Sequence, residues 1–334
     1  MLGISGRQPL GPLEVGGSRD REAQGLDHDA EVAHVRPSVS AHAGHIHPLQ
    51  RKRPSAGTLV PGSKARQKGE LVIVIGEKIN GSIASVRQAI DKKDPTLIAQ
   101  LAKAQADAKA DYLDICAGTE EDIEVETLKW MVRIVQDAVD ARICIDSPNP
   151  RAIEQVIPFV KMPGLINSVS MEGNKPDIVY GLAQEYGFSV IGLAVDDDGI
   201  PRTSERRIEI IRNLVKKAGE YGIASERLFM DPLVVAVSTD SNSMLNFVDT
   251  MRRIKTEFPR VKITSGLSNI SFGMPRRKLV NKNFLCLMLY EGMDSAILDP
   301  TDKEMRRTLM AFDVLTGKDR NCRRFNDAFR KGTI

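Results

Sequence analysis

The sequence predicts an α/β fold, a closed (β/α)8 TIM barrel over residues 70–334 preceded by a disordered N-terminal tail. Two observations lead there. From Leu71 onward, short apolar runs bounded by turn residues alternate with longer segments whose apolar residues recur every three or four positions, the texture of repeated strand-helix units. Eight such pairs fill roughly 250 residues, the size of a closed barrel. The alternative, a doubly wound open sheet, calls for a GxGxxG turn after a strand, and none is present.

In chain order the predicted strands are Leu71 to Ile75, Tyr112 to Cys116, Arg142 to Asp146, Leu165 to Asn167, Ser189 to Val195, Leu228 to Asp231, Lys262 to Leu267 and Ser295 to Leu298. The predicted helices cover Pro95 to Lys109, Ile123 to Val139, Pro150 to Val160, Pro176 to Tyr186, Ser204 to Tyr221, Ser241 to Phe258, Arg276 to Tyr290 and Asp302 to Leu315. Pro95 and Pro150 suit a first helical turn, where a missing N–H costs nothing, and Asp94 and Asn149 before them suit the N-cap.

Residues 1–69 differ from the rest. They are rich in Gly, Pro, Ser, Arg and His, carry a basic patch at Arg51 to Arg53, and lack any apolar period, so they read as a disordered or non-native extension. They also hold 10 Lys+Arg against 6 Asp+Glu, which leaves 37 against 38 for the remainder and accounts for the net charge of +3. A near-neutral folded part offers no basic stripe for nucleic acid.

All five histidines lie in that extension. Residues 70–334 therefore have no imidazole for Ser/His/Asp or Cys/His catalysis, for a zinc or iron site, or for a lower ligand to cobalt. Acid/base and hydrogen-bonding work falls to carboxylates, amides, Tyr, Cys or Lys. The four cysteines, Cys116, Cys144, Cys286 and Cys322, have no CxxC spacing and read as free thiols of a reducing cytoplasm. No run approaches the ~18 apolar residues of a membrane span, and no secretory signal follows Met1.

In a barrel of this kind active-site groups project from the carboxyl ends of the strands. There the sequence places Gly76-Glu77-Lys78-Ile79-Asn80-Gly81, Asp114, Asp146, Asn167, Asp231 and Ser268-Asn269, each after an apolar run. Any one of these has a plain structural use, such as capping a turn. Recurrence across six strands points to function, because stability alone does not require an acid or amide at that end so regularly. Carboxylates and amides without imidazole suit a flat, nitrogen-rich heterocycle whose N–H groups they can accept from. A pterin is one such ring among several.

The ordered set GEKING (76–81), YLDIC (112–116), CIDSPN (144–149), LINS (165–168), MDPL (230–233) and GLSNISFG (266–273) resembles the methyltetrahydrofolate:corrinoid methyltransferases, pterin-binding barrels akin to dihydropteroate synthase. The resemblance spans about Leu71 to Leu315 and is closest to the second methyltransferase of O-demethylase and betaine-type systems. It implies that Asp146, Asn167 and Asp231 hold the pterin edge with Asp114 in support, and that Glu77 and Asn80 are further candidates for the pocket. It implies that Asn269 hydrogen-bonds folate N5, that Gly266 and Ser268 shape the turn presenting it, and that Arg277 lies near the mouth.

It further implies tetrahydrofolate or methyltetrahydrofolate as substrate, a cobalamin-type corrinoid carried by a transiently docked partner protein, no metal held by this chain, and a homodimer. Transfer from methylcorrinoid to tetrahydrofolate fits the catabolic relatives. Two positions depart from the family pattern: Cys116 stands where several relatives have Asn, and Phe272 where the acetyl-CoA-pathway enzyme has Gln. A dihydropteroate synthase is the nearest rival, disfavoured because DPLVVAVSTD lacks the GFGK-type loop of those synthases. A Schiff-base aldolase is disfavoured because Lys262 lies at the wrong end of its strand. A pterin-binding protein without chemistry is the third alternative.

Overall fold

The computed structural model describes residues 72–334, so the reading of residues 1–69 as a disordered extension lies outside the described residues. Strand β1 (Ile73–Asn80) leads through α1 (Ala84–Asp91) and α2 (Pro95–Asp107) to β2 (Tyr112–Cys116), α3 (Glu121–Ala138) and β3 (Arg142–Asp146). Next come α4 (Pro150–Val156), β4 (Leu165–Met171), α5 (Lys175–Tyr186), β5 (Ser189–Asp196), α6 (Ser204–Glu220) and β6 (Leu228–Asp231). The chain finishes with α7 (Ser243–Glu257), β7 (Lys262–Ile263), α8 (Arg277–Glu291), β8 (Ser295–Leu298), α9 (Lys303–Leu315) and α10 (Arg323–Arg330).

The strands pair in parallel in the order β7-β6-β5-β4-β3-β2-β1-β8. Backbone bonds from Asp294 N–H to Ile263 O (3.0 Å) and from Ile297 N–H to Ser265 O (2.9 Å) join the two ends of that order, as does a parallel bridge between Gly266 and Ile297. The predicted caps form: Asp94 accepts from Thr96 N–H at 2.9 Å and Asn149 from Arg151 N–H at 3.0 Å, each ahead of its proline.

Strand alternation sorts the core into two layers. Leu113, Ile115, Ile143, Ile145, Ile166, Val190 and Met230 pack outward in the large helix-covered cluster. Ile75, Tyr112, Cys144, Leu165, Ile191 and Phe229 form a separate cluster on the opposite face, within the barrel.

Three predicted boundaries are corrected. The first strand does not stop at Ile75 but continues to Asn80, with a register shift between Gly76 and Ile79. In the shifted stretch the N–H of Lys78 donates to the fully buried Gln105 Oε1 at 3.0 Å, and a Cβ on Gly76 would fall 2.5 Å from that oxygen. The fourth strand likewise runs beyond Asn167 to Met171, shifting register after Asn167. The seventh strand ends at Ile263 and not Leu267, because the polar run after it coils into a 3-10 turn, Leu267–Ser271. Helices α1 and α10 were not expected; both are short, 8 residues each.

Candidate functional site

The inward parity that buries Ile75, Tyr112, Cys144, Leu165 and Phe229 carries, two residues further along each strand, Glu77, Asp114, Asp146, Asn167 and Asp231. Five polar groups from five strands thus stand one step above an apolar floor, at the carboxyl end of the barrel.

Asp114 and Asp146 form a coupled pair. Asp114 Oδ1 accepts from Asn167 Nδ2 at 3.3 Å, and its carboxyl is raised well above the usual range by burial and by the neighbouring charge of Asp146. Asp146 is also raised by burial, against the opposing effect of hydrogen bonds from Cys116 and Asp114. Two carboxylates in one dry site cannot both ionise cheaply, so this pair retains a proton. The thiols of Cys144 and Cys116 are pushed up by burial and these acids, which makes them poor nucleophiles and weak donors to the carboxyls.

Across the cup, burial raises Asp231 to about 6 even though it accepts from the N–H groups of Leu233 (2.8 Å) and Gly266 (3.4 Å). The second bond brings the Gly266 turn to Asp231. Asn269 follows in that turn with an exposed side chain, and a Cβ on Gly266 would lie 3.1 Å from Asn269 Nδ2, so the missing side chain leaves room for the carboxamide. Arg277 braces the same turn from α8, donating to Ser268 O at 2.8 Å and to Ser271 Oγ at 3.2 Å. Its guanidinium also stacks 5.7 Å from the ring of Phe272, which is 68% exposed on the rim.

Glu77 lines a cavity of about 280 Å³ together with Lys78, Ser268, Arg277 and Asp299. Asn80 pairs in register with Cys116, and its Oδ1 accepts from Ser82 N–H at 2.8 Å, which ties the side chain to the turn after β1.

Sequence comparison bears on what this cup holds. The pattern of the family described as pterin binding enzyme matches residues 77–299. A methylcorrinoid:tetrahydrofolate methyltransferase from Eubacterium limosum is 46% identical over 265 residues, covering 79% of this chain and 98% of that protein. The chain belongs to the pterin-binding methyltransferase family.

Methionine synthase from Mycobacterium tuberculosis (strain ATCC 25618 / H37Rv) is 27% identical over 281 residues, 80% of this chain but 24% of that longer protein. A Yersinia pestis dihydropteroate synthase solved with a pterine-sulfa conjugate superposes with a TM-score of 0.56 at 14% identity, covering 77% of this chain and 99% of that one. The Xanthomonas albilineans dihydropteroate synthase gives 0.57 at 14% identity, with coverages of 74% and 92%. At such identity the likeness is one of fold.

In this member of the pterin-binding methyltransferases, the strand-end pattern thus brings Asp114, Asp146, Asn167 and Asp231 together, sets Gly266, Ser268 and Asn269 on the adjoining turn with Arg277 bracing it from α8, and puts Glu77 at the edge. Sequence reasoning missed Arg207, which is 1% exposed and donates to Pro201 O (3.0 Å) and Leu233 O (2.7 Å), locking the loop after Asp231. Lying in the charged run SERRIEII, it carries no signal that sets it apart from its surface neighbours.

Proposed function

We propose that the chain moves a methyl group from the cobalt of a corrinoid, carried by a separate protein, to N5 of tetrahydrofolate. The observation that supports this most directly is the inward cup of Asp114, Asp146, Asn167 and Asp231, in a chain 46% identical to a methylcorrinoid:tetrahydrofolate methyltransferase across nearly all of that protein. The donor set suits a pterin. Desolvated carboxyls raised by burial are costly until N–H donors reach them, and one edge of a pterin carries an amino group and a ring N–H in reach of both sides of the cup.

In this reading Asp146, Asn167 and Asp231 grip the ring edge and Asp114 steadies Asn167. Asn269 faces N5, where its amide supplies a hydrogen bond that strengthens as charge changes on the nitrogen. Gly266 and Ser268 form the turn that presents it, held by Arg277. The corrinoid, when docked, supplies the labile cobalt-methyl bond. It belongs to the partner protein, since residues 70–334 contain no histidine to serve as a lower ligand. Phe272, exposed on the rim, is the apolar surface such a partner would meet.

We further place the enzyme in the cytoplasm as a homodimer. The four cysteines are free, as in a reducing compartment, and α8 leaves Leu279, Leu287 and Tyr290 exposed on its outer side. No helix among the described residues is long and apolar enough to cross a membrane.

The test is spectroscopic. Mixing the protein with tetrahydrofolate and a methylated corrinoid protein should produce cobalt(I) absorbance at a rate that scales with enzyme. A dihydropteroate synthase would instead join a pterin pyrophosphate to p-aminobenzoate. A folate carrier would bind tetrahydrofolate and leave the spectrum unchanged, and either result contradicts the proposal.

A further inference from the structure

Among the inward acids at the barrel mouth, Glu77 is placed differently from the rest. Asp114, Asp146 and Asn167 are bonded to one another, and Asp231 accepts from two backbone N–H groups. The Glu77 carboxylate makes no hydrogen bond and no ion pair with another described residue, yet it is only part-exposed and it lines the 280 Å³ cavity that also contains Ser268, the neighbour of Asn269. The cations beside it are engaged elsewhere: Lys78 lies 3.4 Å from Asp299, Lys278 lies 2.7 Å from Asp302, and Arg277 donates to Ser268 O. An inward carboxylate left uncommitted, next to the turn that presents the amide at N5, is available to a proton of the substrate.

We propose that Glu77 is the proton acceptor when tetrahydrofolate is methylated and the proton donor when the reaction runs backward. This assignment rests on the reading that N5 of tetrahydrofolate receives the methyl group. The N5 lone pair forms the new nitrogen-carbon bond while the cobalt-carbon bond breaks, its electron pair remaining on cobalt. The proton that N5 carried then passes to the Glu77 carboxylate, directly or through one water. Some group must take that proton. Asn269 cannot, because an amide is far too weak a base, and Asp146 and Asp231 are occupied by the ring edge.

The electrostatic setting fits the role. Burial, reinforced by Asp299, raises the Glu77 carboxyl to about 7 against the opposing charges of Lys78 and Arg277. Asp114 also senses Glu77 from β2, and Lys278 and Asp302 line the same cavity. A group that exchanges its proton near neutrality can both accept and return one within a turnover.

Single-turnover transfer from a methylated corrinoid protein to tetrahydrofolate, followed as cobalt(I) absorbance across the pH range, tests the assignment. The wild-type rate should rise through about pH 7 to a plateau, and Glu77→Gln should lower the plateau about 100-fold and abolish the rise, in line with the loss of a general base. Tetrahydrofolate affinity should change less than about threefold, which also shows that the variant folds, and Glu77→Asp should recover part of both rate and rise. A Glu77→Gln enzyme that keeps the wild-type rate and profile overturns the proposal. So does a wild-type rate that is flat with pH, or a variant that loses tetrahydrofolate binding, which would make Glu77 a binding residue. If the wild-type protein yields no cobalt(I) at all, the functional reading itself fails, an outcome separate from the failure of Glu77 alone.

Discussion

Replacing Arg207 by alanine probes how the loop behind the cup is held. The guanidinium is 1% exposed and bonds Pro201 O at 3.0 Å and Leu233 O at 2.7 Å, tying the loop after β5 to the loop after β6. Leu233 adopts a left-handed backbone conformation (φ 63°) that a branched side chain disfavours, and its own N–H donates to Asp231 at 2.8 Å. Arg207 therefore holds Asp231 through a single residue.

Hydrogen bonds from a charged donor contribute about 1.5–3 kcal/mol each. Both carbonyls belong to residues that are only half-buried, so water can partly replace the lost donor and the lower end of the range applies. Losing both bonds should cost about 3 kcal/mol, a fall in Tm of roughly 6–10 °C for a domain of this size. Arg207→Lys keeps one bond and should lose about half as much. Thermal unfolding measures this directly, and calorimetric titration should show weakened tetrahydrofolate binding in parallel as the Asp231 turn loosens. An alanine variant that melts within about 2 °C of wild type and binds folate equally well refutes the bracing role.

Asn269→Ala should slow methyl transfer by about 100- to 1000-fold with unchanged melting, since it removes the amide proposed to hydrogen-bond the reacting nitrogen and leaves the fold intact; single-turnover rates decide it. Gly266→Ala adds a methyl 3.1 Å from Asn269 Nδ2 at a backbone angle (φ −70°) any residue accepts, so transfer should slow several-fold with little change in stability. Asp231 is raised from 3.8 to about 6 in the folded state, so the folded protein binds its proton more tightly than the unfolded chain does. Its effect on the ligand-free protein is a loss of stability as pH rises from about 4 to about 6, totalling roughly 3 kcal/mol and persisting above. Asp231→Asn should thus melt higher than wild type at pH near 7.5 without ligand, converge with it in acid, and fail to bind tetrahydrofolate. A variant that melts lower throughout contradicts the assigned ionisation.

The candidate site was legible in the sequence as a position in the fold because it lies in the strands, where a period of two fixes which side chains point inward. Once Ile75, Cys144 and Phe229 are recognised as interior, Glu77, Asp146 and Asp231 follow two residues later. Boundaries failed where a side chain or turn replaces ladder pairing. Gln105 satisfies Lys78 N–H across 27 residues and lets β1 run past Gly76, a contact no local pattern encodes. The apolar alternation of KITSGL favours a strand, yet Ser, Gly and Asn coil the chain after Ile263 and so deliver Asn269 to the mouth. The brace on Asp231 was invisible for the same reason, since Arg207 and Leu233 are 26 residues apart and meet only after α6 packs against β5, which pairs with β6.

A carbon-13 methyl label placed on the partner's corrinoid tests the account most directly. With the wild-type protein and tetrahydrofolate, nuclear magnetic resonance should find the label on N5 of methyltetrahydrofolate, and the signal should vanish with Asp146→Asn or Asp231→Asn while the proteins remain folded. Label that stays on cobalt with the wild-type protein, or that reaches N5 undiminished when the cup is mutated, would contradict the claim that these inward acids hold the ring for methyl transfer.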